Sequence, residues 1–175
     1  MTPRLRALGR EEADASVHAD FDAFVKARGK VPNLFATLAR KPALMRAVAA
    51  LLREASAPGE VPVRVKEMVA LRVSRANGCD YCAASHTKLA VAAGASEADL
   101  AAVQDPAGGA LTEAEKAALR FADAVSAVGG RVPDPVWEAL RKRWSETACV
   151  EIAAVAAAFA MFNRLANSLE VEITR

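Results

Sequence analysis

An all-α fold is predicted by three features of the chain. Alanine supplies 42 of the 175 residues, and because it loses no side-chain entropy in a helix, such a bias favours helices over sheet. Phe, Tyr and Trp together number only nine, and the β-branched residues are mainly scattered valines. Proline and glycine cut the sequence into stretches of helical length without opening a linker long enough to separate domains. The length itself suits one domain, residues 1–175, able to bury about 70% of the surface its unfolded form exposes.

The elements follow in order. Residues 11–28 place Val17, Phe21, Phe24 and Val25 near helical spacing, and Gly29 stops them. After the turn at Gly29 to Asn33, Leu34, Leu38 and then Leu44 to Leu52 resume the period, until Pro58 and Gly59 break it. Pro62 suits a first helical turn and opens a helix to about Ala76. Asn77-Gly78 supplies left-handed residues, and a new helix begins at Cys79 or Asp80 and runs to Gly94. Ser96 with Asp99 marks a short helix start, and Thr112 with Glu115 matches a capping box ahead of a helix to about Val128. Pro133 and Pro135 lead into residues 136–144, and a last long helix covers residues 145–169. It is apolar nearly all round over residues 152–162, as befits the centre of a bundle or a subunit contact.

Charge and cysteine content exclude several functions. With 23 basic and 21 acidic residues and no basic cluster, the chain is not an electrostatic nucleic-acid binder. Three cysteines make no disulfide framework and suit a reducing compartment. Arg4, Arg6 and Arg10 are followed by Glu11, Glu12 and Asp14 with no apolar run of signal length. The eleven-residue apolar stretch 152–162 falls short of the ~20 residues that cross a bilayer. The expectation is a cytoplasmic protein without membrane contact.

One segment carries chemistry. Cys79 and Cys82 stand three apart at a helix start, where neighbouring Cα atoms on one face lie about 5 Å apart, within disulfide range. The N-terminal N–H groups favour negative charge and so the reactive thiolate. His86, four residues past Cys82, shares their helical stripe. On the preceding helix Glu67 falls among Val63, Ala70, Leu71 and Ser74, while Lys66, Arg72 and Arg75 point elsewhere. If Asn77-Gly78 makes a tight hairpin, Glu67 and His86 reach the same height and form a pair able to accept and return a thiol proton.

Glu67, Cys79-x-x-Cys82 and His86, with Asn77-Gly78 before the first cysteine, resemble the AhpD-type alkylhydroperoxidases of the carboxymuconolactone decarboxylase superfamily. The likeness extends from Val31-Pro-Asn-Leu-Phe through Pro42-Ala-Leu to Phe162-Asn-Arg-Leu-Ala-Asn, covering residues 30–172. The resemblance implies an all-α, AhpD-like bundle that self-associates. It also implies thiol-dependent reduction of alkyl hydroperoxides or hydrogen peroxide without a bound cofactor, reset by a dithiol donor such as a lipoyl protein. By the same resemblance Cys82 attacks the peroxide, Cys79 is the more exposed resolving partner, and Glu67 and His86 are the proton relay. The best-known members carry histidine immediately before the second cysteine; this chain has Tyr81, which donates a hydrogen bond but does not shuttle protons near neutral pH.

Rival readings use the same residues. A general disulfide oxidoreductase or a decarboxylase-like enzyme are the enzymatic alternatives. A zinc-binding module, with Cys149 or His18 completing the site, or a redox-sensing module are the non-enzymatic ones. Cys149 reads as a buried inert thiol, Trp137 and Trp144 as core, and Arg141 to Arg143 as a solvated face. Arg64, Arg72 and Arg75 read either as a guide for an acidic donor or as a basic helix face. Glu151, Asn163 and Asn167 interrupt the last helix, and no site is assigned to them.

Overall fold

A computed structural model describes residues 2–105 and 110–174, and every ordered element among them is helical. The elements are α1 (His18–Arg28), α2 (Asn33–Leu38), α3 (Pro42–Ser56), α4 (Val63–Ala76), α5 (Asp80–Ala92), α6 (Glu97–Gln104), α7 (Glu113–Ser126), α8 (Asp134–Arg141) and α9 (Glu146–Leu169). They divide into two compact units, one of residues 1–54 and 165–175 and the other of residues 55–164.

In the first unit, Val17, Phe21, Leu34, Phe35, Leu38, Met45 and Val48 are buried, and the Phe24 and Phe35 rings stack at 4.7 Å. The helix expected over residues 11–28 is shorter than its apolar spacing implied. Two single 3-10 turns, Arg10–Glu12 and Ala15–Val17, precede α1, because the Asp14 carboxylate accepts the Ser16 N–H and holds an extended residue between them. The C-terminal tail is tied in by Asn33, whose side chain donates to the Glu172 carbonyl at 3.0 Å.

In the second unit α4 is the central helix. Residues Val65 to Leu71, Val73 and Ser74 are all buried, and α4 packs against α5, α7 and α6. Pro62 serves as its N-cap, its carbonyl accepting from Val65 and Lys66. The capping boxes predicted at Ser96 and Thr112 are both formed. The basic residues of α4 do not make a free face. Arg64 pairs with Asp99 and Glu115, Arg72 is bidentate on Asp123 and also donates to two carbonyls, and Arg75 donates to the Leu100 carbonyl. These bonds tie α4 to α6 and α7. Trp144 donates its indole N–H to the Ala114 carbonyl, whereas Trp137, expected in the core, is 38% exposed at the edge of Phe121.

The apolar run of residues 152–162 lies inside a 24-residue helix, α9, which by length and composition is sufficient to cross a membrane. More than half of that window is buried within the protein, and Glu151 and Asn163 are engaged by other elements, as in a core helix. Glu151 shows how. Its carboxylate accepts N–H groups from Glu60 and Val61 and pairs at 2.7 Å with Lys66, whose buried ammonium also donates to the Ala57 carbonyl. This clamp closes the loop from α3 to α4, and a Cβ at Gly59 would collide with the Glu151 carboxylate.

Burial pushes the Glu151 carboxyl up, but Lys66 and the two backbone N–H groups outweigh it and leave the group ionising below its ordinary 4.5. A depressed folded-state value means the clamp's contribution is complete above pH 4.5 and is lost as the pH falls through that lower value. Glu151→Gln should cost about 3 kcal/mol near neutral pH, since Lys66 stays buried without its counter-ion. In urea unfolding, the gap between the two proteins should narrow as the pH drops below 4.5; a gap independent of pH would contradict the clamp.

Candidate active site

The turn between α4 and α5 decides where the sulfurs lie. Gly78 adopts a left-handed φ of 60°. The Gly78 N–H bonds the Arg75 carbonyl at 3.1 Å, and the Cys79 N–H bonds the Ser74 carbonyl at 2.8 Å. This pair of bonds is a Schellman motif, which satisfies the last carbonyls of α4 and reverses the chain. Cys79, its final residue, is at the same time the N-cap of α5. Its sulfur accepts the Cys82 backbone N–H at 3.4 Å, the role a serine or aspartate oxygen usually fills.

With the chain reversed there, α5 runs back along α4. His86 Nδ1 lies 2.6 Å from Glu67 Oε2, the pairing predicted from equal helical heights. In the tautomer that carries its proton on Nδ1, that N–H donates to the Glu67 carboxylate and Nε2 is the acceptor. All four residues are buried: Cys79 is 1% exposed, Cys82 3%, His86 7% and Glu67 8%. Cys79 is therefore not the more exposed cysteine, because the N-cap position folds its sulfur back over the first turn of α5.

The two thiols are coupled. Cys82 S–H donates to the Cys79 sulfur, and this bond, with the Cys82 N–H and the Asn163 amide, lowers the Cys79 thiol despite its burial and the neighbouring Asp80. The same arrangement raises Cys82, through that bond, burial and the charge on Cys79, with Asn163 acting against the rise. The two thiols therefore titrate as one coupled pair, in which the arrangement favours the charge on Cys79 over Cys82.

The last helix supplies what the sequence did not assign. The Phe159 ring stands edge-on to His86 at 4.3 Å, with Phe162 packed against it in turn. Asn163, wholly buried, accepts from Asn77 at 3.1 Å and donates to Ser74 at 3.2 Å. Its signal was its phase: at four residues beyond Phe159 and eight beyond Val155, it continues the buried face of α9. Glu151 closes the loop described above. Cys149 is a separate buried thiol, raised by burial. Among the described residues no cluster of three or more His, Cys, Asp or Glu side chains is arranged to hold a metal ion.

Replacing Cys82 by alanine removes the S–H donor that does most to favour the Cys79 thiolate. The Cys79 ionisation should then move to higher pH, as read from thiolate ultraviolet absorbance; a fall or no change would show that the two sulfurs do not share a proton.

Residues 42–124 match the carboxymuconolactone decarboxylase family. Among solved structures, a cysteine-to-alanine variant of the debrominase Bmp8 in complex with 2,3,4-tribromopyrrole is 27% identical, with a TM-score of 0.87 over 99% of this chain and 93% of that one. A protein of unknown function from Agrobacterium tumefaciens, described as a putative antioxidant defence protein AhpD, is 28% identical at a TM-score of 0.74, over 79% of this chain and 95% of that one. The alkylhydroperoxidase AhpD core protein of Ralstonia eutropha JMP134, described as uncharacterized and peroxidase-related, shares the fold at 24% identity and a TM-score of 0.87, over 98% and 92% of the two chains. No curated protein matches the sequence.

Proposed function

We propose that the chain, whose residues 42–124 match the carboxymuconolactone decarboxylase family, is a thiol-dependent peroxidase working through the Cys79–Cys82 pair. The observation that carries this reading is the Glu67–His86 hydrogen bond of 2.6 Å beside a dithiol at a helix N-terminus. The likeness, at 28% identity, to a protein of unknown function described as a putative antioxidant defence protein AhpD supports it.

In the proposed cycle the Cys82 proton passes to the His86 imidazole, one turn along the same face of α5, while Glu67 steadies the imidazolium. The Cys82 sulfur attacks a peroxide oxygen, and the O–O bond breaks. The proton returns to the departing alkoxide or hydroxide. Cys82 is left as a sulfenic acid. The Cys79 sulfur, giving up its own proton, attacks the Cys82 sulfur and forms the disulfide, and that proton converts the expelled hydroxide to water. Two electrons from the dithiol have then reduced the peroxide to an alcohol and water. An external dithiol, a lipoyl group being our candidate, resets the pair by exchange. Burial of both sulfurs favours a small hydroperoxide.

Two observations favour variants of this reading. The lowered Cys79 thiol favours the reverse order, with Cys79 attacking. The debrominase at 27% identity favours a halogenated substrate, on which the same dithiol would exchange a carbon–bromine bond for carbon–hydrogen, releasing bromide and a proton.

Under single-turnover conditions, Cys79→Ser should consume one equivalent of peroxide and trap a sulfenic acid on Cys82. Cys82→Ser should consume none, with its helical circular dichroism unchanged. The opposite pattern makes Cys79 the attacking sulfur. Bromide release from 2,3,4-tribromopyrrole without peroxide consumption by the unaltered chain would replace the peroxidase reading.

A further inference from the structure

Asn163 is the one polar side chain of α9 that is 0% exposed, and its hydrogen bonds fix which way its amide points. The Ser74 hydroxyl donates to the Ala70 carbonyl at 2.7 Å, so toward Asn163 it can only accept. That requirement places Nδ2 against Ser74 and Oδ1 against the Asn77 amide, which donates to it. One Nδ2–H is thereby engaged, and a second remains in a place without water access, where an unpaired donor is costly. Ser74 and Asn77 bracket the Schellman turn that delivers Cys79, and the Ser74 carbonyl itself holds the Cys79 N–H at 2.8 Å, so Asn163 is anchored on the residues that position the dithiol.

We infer that Asn163 is the amide donor of this dithiol, its second Nδ2–H directed at the Cys79 and Cys82 sulfurs and stabilising whichever of them carries the negative charge. A neutral donor suits this place. A lysine there would need a counter-ion of its own, while an ionised aspartate would repel the thiolate. Hydrogen bonding from Asn163 favours ionisation of both thiols. The charged groups around the pair are few. Asp80, next to Cys79, opposes the thiolate, and the Glu67–His86 pair lies further along α5. The inference rests on the function proposed above only for its consequence in turnover: the same N–H would stabilise the attacking thiolate and then the thiolate released when the disulfide is reduced.

The test reads ionisation rather than activity. The rate of alkylation at Cys79 and Cys82 is followed against pH, with the modified site identified by mass spectrometry. In Asn163→Ala the first ionisation of the pair should rise by about one unit, which is about a tenfold slower alkylation at any pH below it. Asn163→Asp, similar in shape but acceptor-only when ionised, should raise it at least as far. Val155→Ala, which loosens the same buried face of α9, should leave it in place. A second measurement uses the unaltered chain, where folding is not in question: the Asn163 side-chain amide proton resonance should titrate with the same midpoint as the thiol. An unchanged profile in Asn163→Ala, an equal shift in Val155→Ala, or an amide resonance blind to the thiol would each overturn the inference. Absence of peroxide consumption by the unaltered chain would overturn the function proposed above and leave this assignment untouched.

Discussion

A single reversal of the chain, at Asn77 and Gly78, sets the geometry on which the site depends. It needs one left-handed residue, and glycine adopts that conformation without the Cβ crowding that burdens other residues. The consequences run in both directions along the chain. Backward, the turn satisfies the last carbonyls of α4; forward, it makes Cys79 the cap of α5, so that its sulfur meets the Cys82 N–H. Because α5 then retraces α4, a carboxylate twelve residues before Cys79 and an imidazole seven residues after it come within 2.6 Å. The candidate site is therefore held by one helical hairpin, and its geometry would be lost by a change of register as surely as by loss of a sulfur.

Burial gives that hairpin its electrostatic character. Away from water, each ionisable group is governed by the few partners that reach it. For Cys79 those partners are the Cys82 thiol and N–H and the Asn163 amide. For Glu67 the partner is His86, walled by Phe159. Lys66, buried next to Glu67 in sequence but paired with Glu151 to close the loop from α3 to α4, shows the same rule in a structural setting. The second unit thus contains two kinds of buried polar device, one that holds backbone in place and one that pairs a carboxylate with an imidazole beside two thiols.

Most of the frame could be read from the sequence because its signals are local. Pro62, Asn77-Gly78 and the capping boxes at Ser96 and Thr112 act within a few residues, and the helices begin and end where they indicate. Glu67, Cys79, Cys82 and His86 could be brought together on paper since a short turn and a fixed rise leave little freedom. What escaped depends on contacts distant in sequence. Asn163 meets Ser74 across 89 positions, and Arg72 meets Asp123 across 51, so neither a buried amide beside the turn nor the engagement of a basic face by carboxylates and carbonyls is visible in spacing. The exposures of Cys79 and Trp137 likewise depend on how a side chain folds over its own helix or meets a neighbour. Near the N-terminus, Val17, Phe21 and Phe24 kept helical spacing while Asp14 competed for the backbone, and the local hydrogen bond prevailed.

The central claim is that Cys79 and Cys82 exchange two electrons with a substrate by opening and closing one bond between them. The most direct measurement is peptide mass mapping of the fully reduced protein after one equivalent of hydrogen peroxide, and again after addition of a lipoyl dithiol. The account predicts a stoichiometric Cys79–Cys82 disulfide, Cys149 still a free thiol, and complete return of the dithiol. Oxidation confined to Cys149, or a Cys79–Cys82 pair left reduced while peroxide persists, would contradict it.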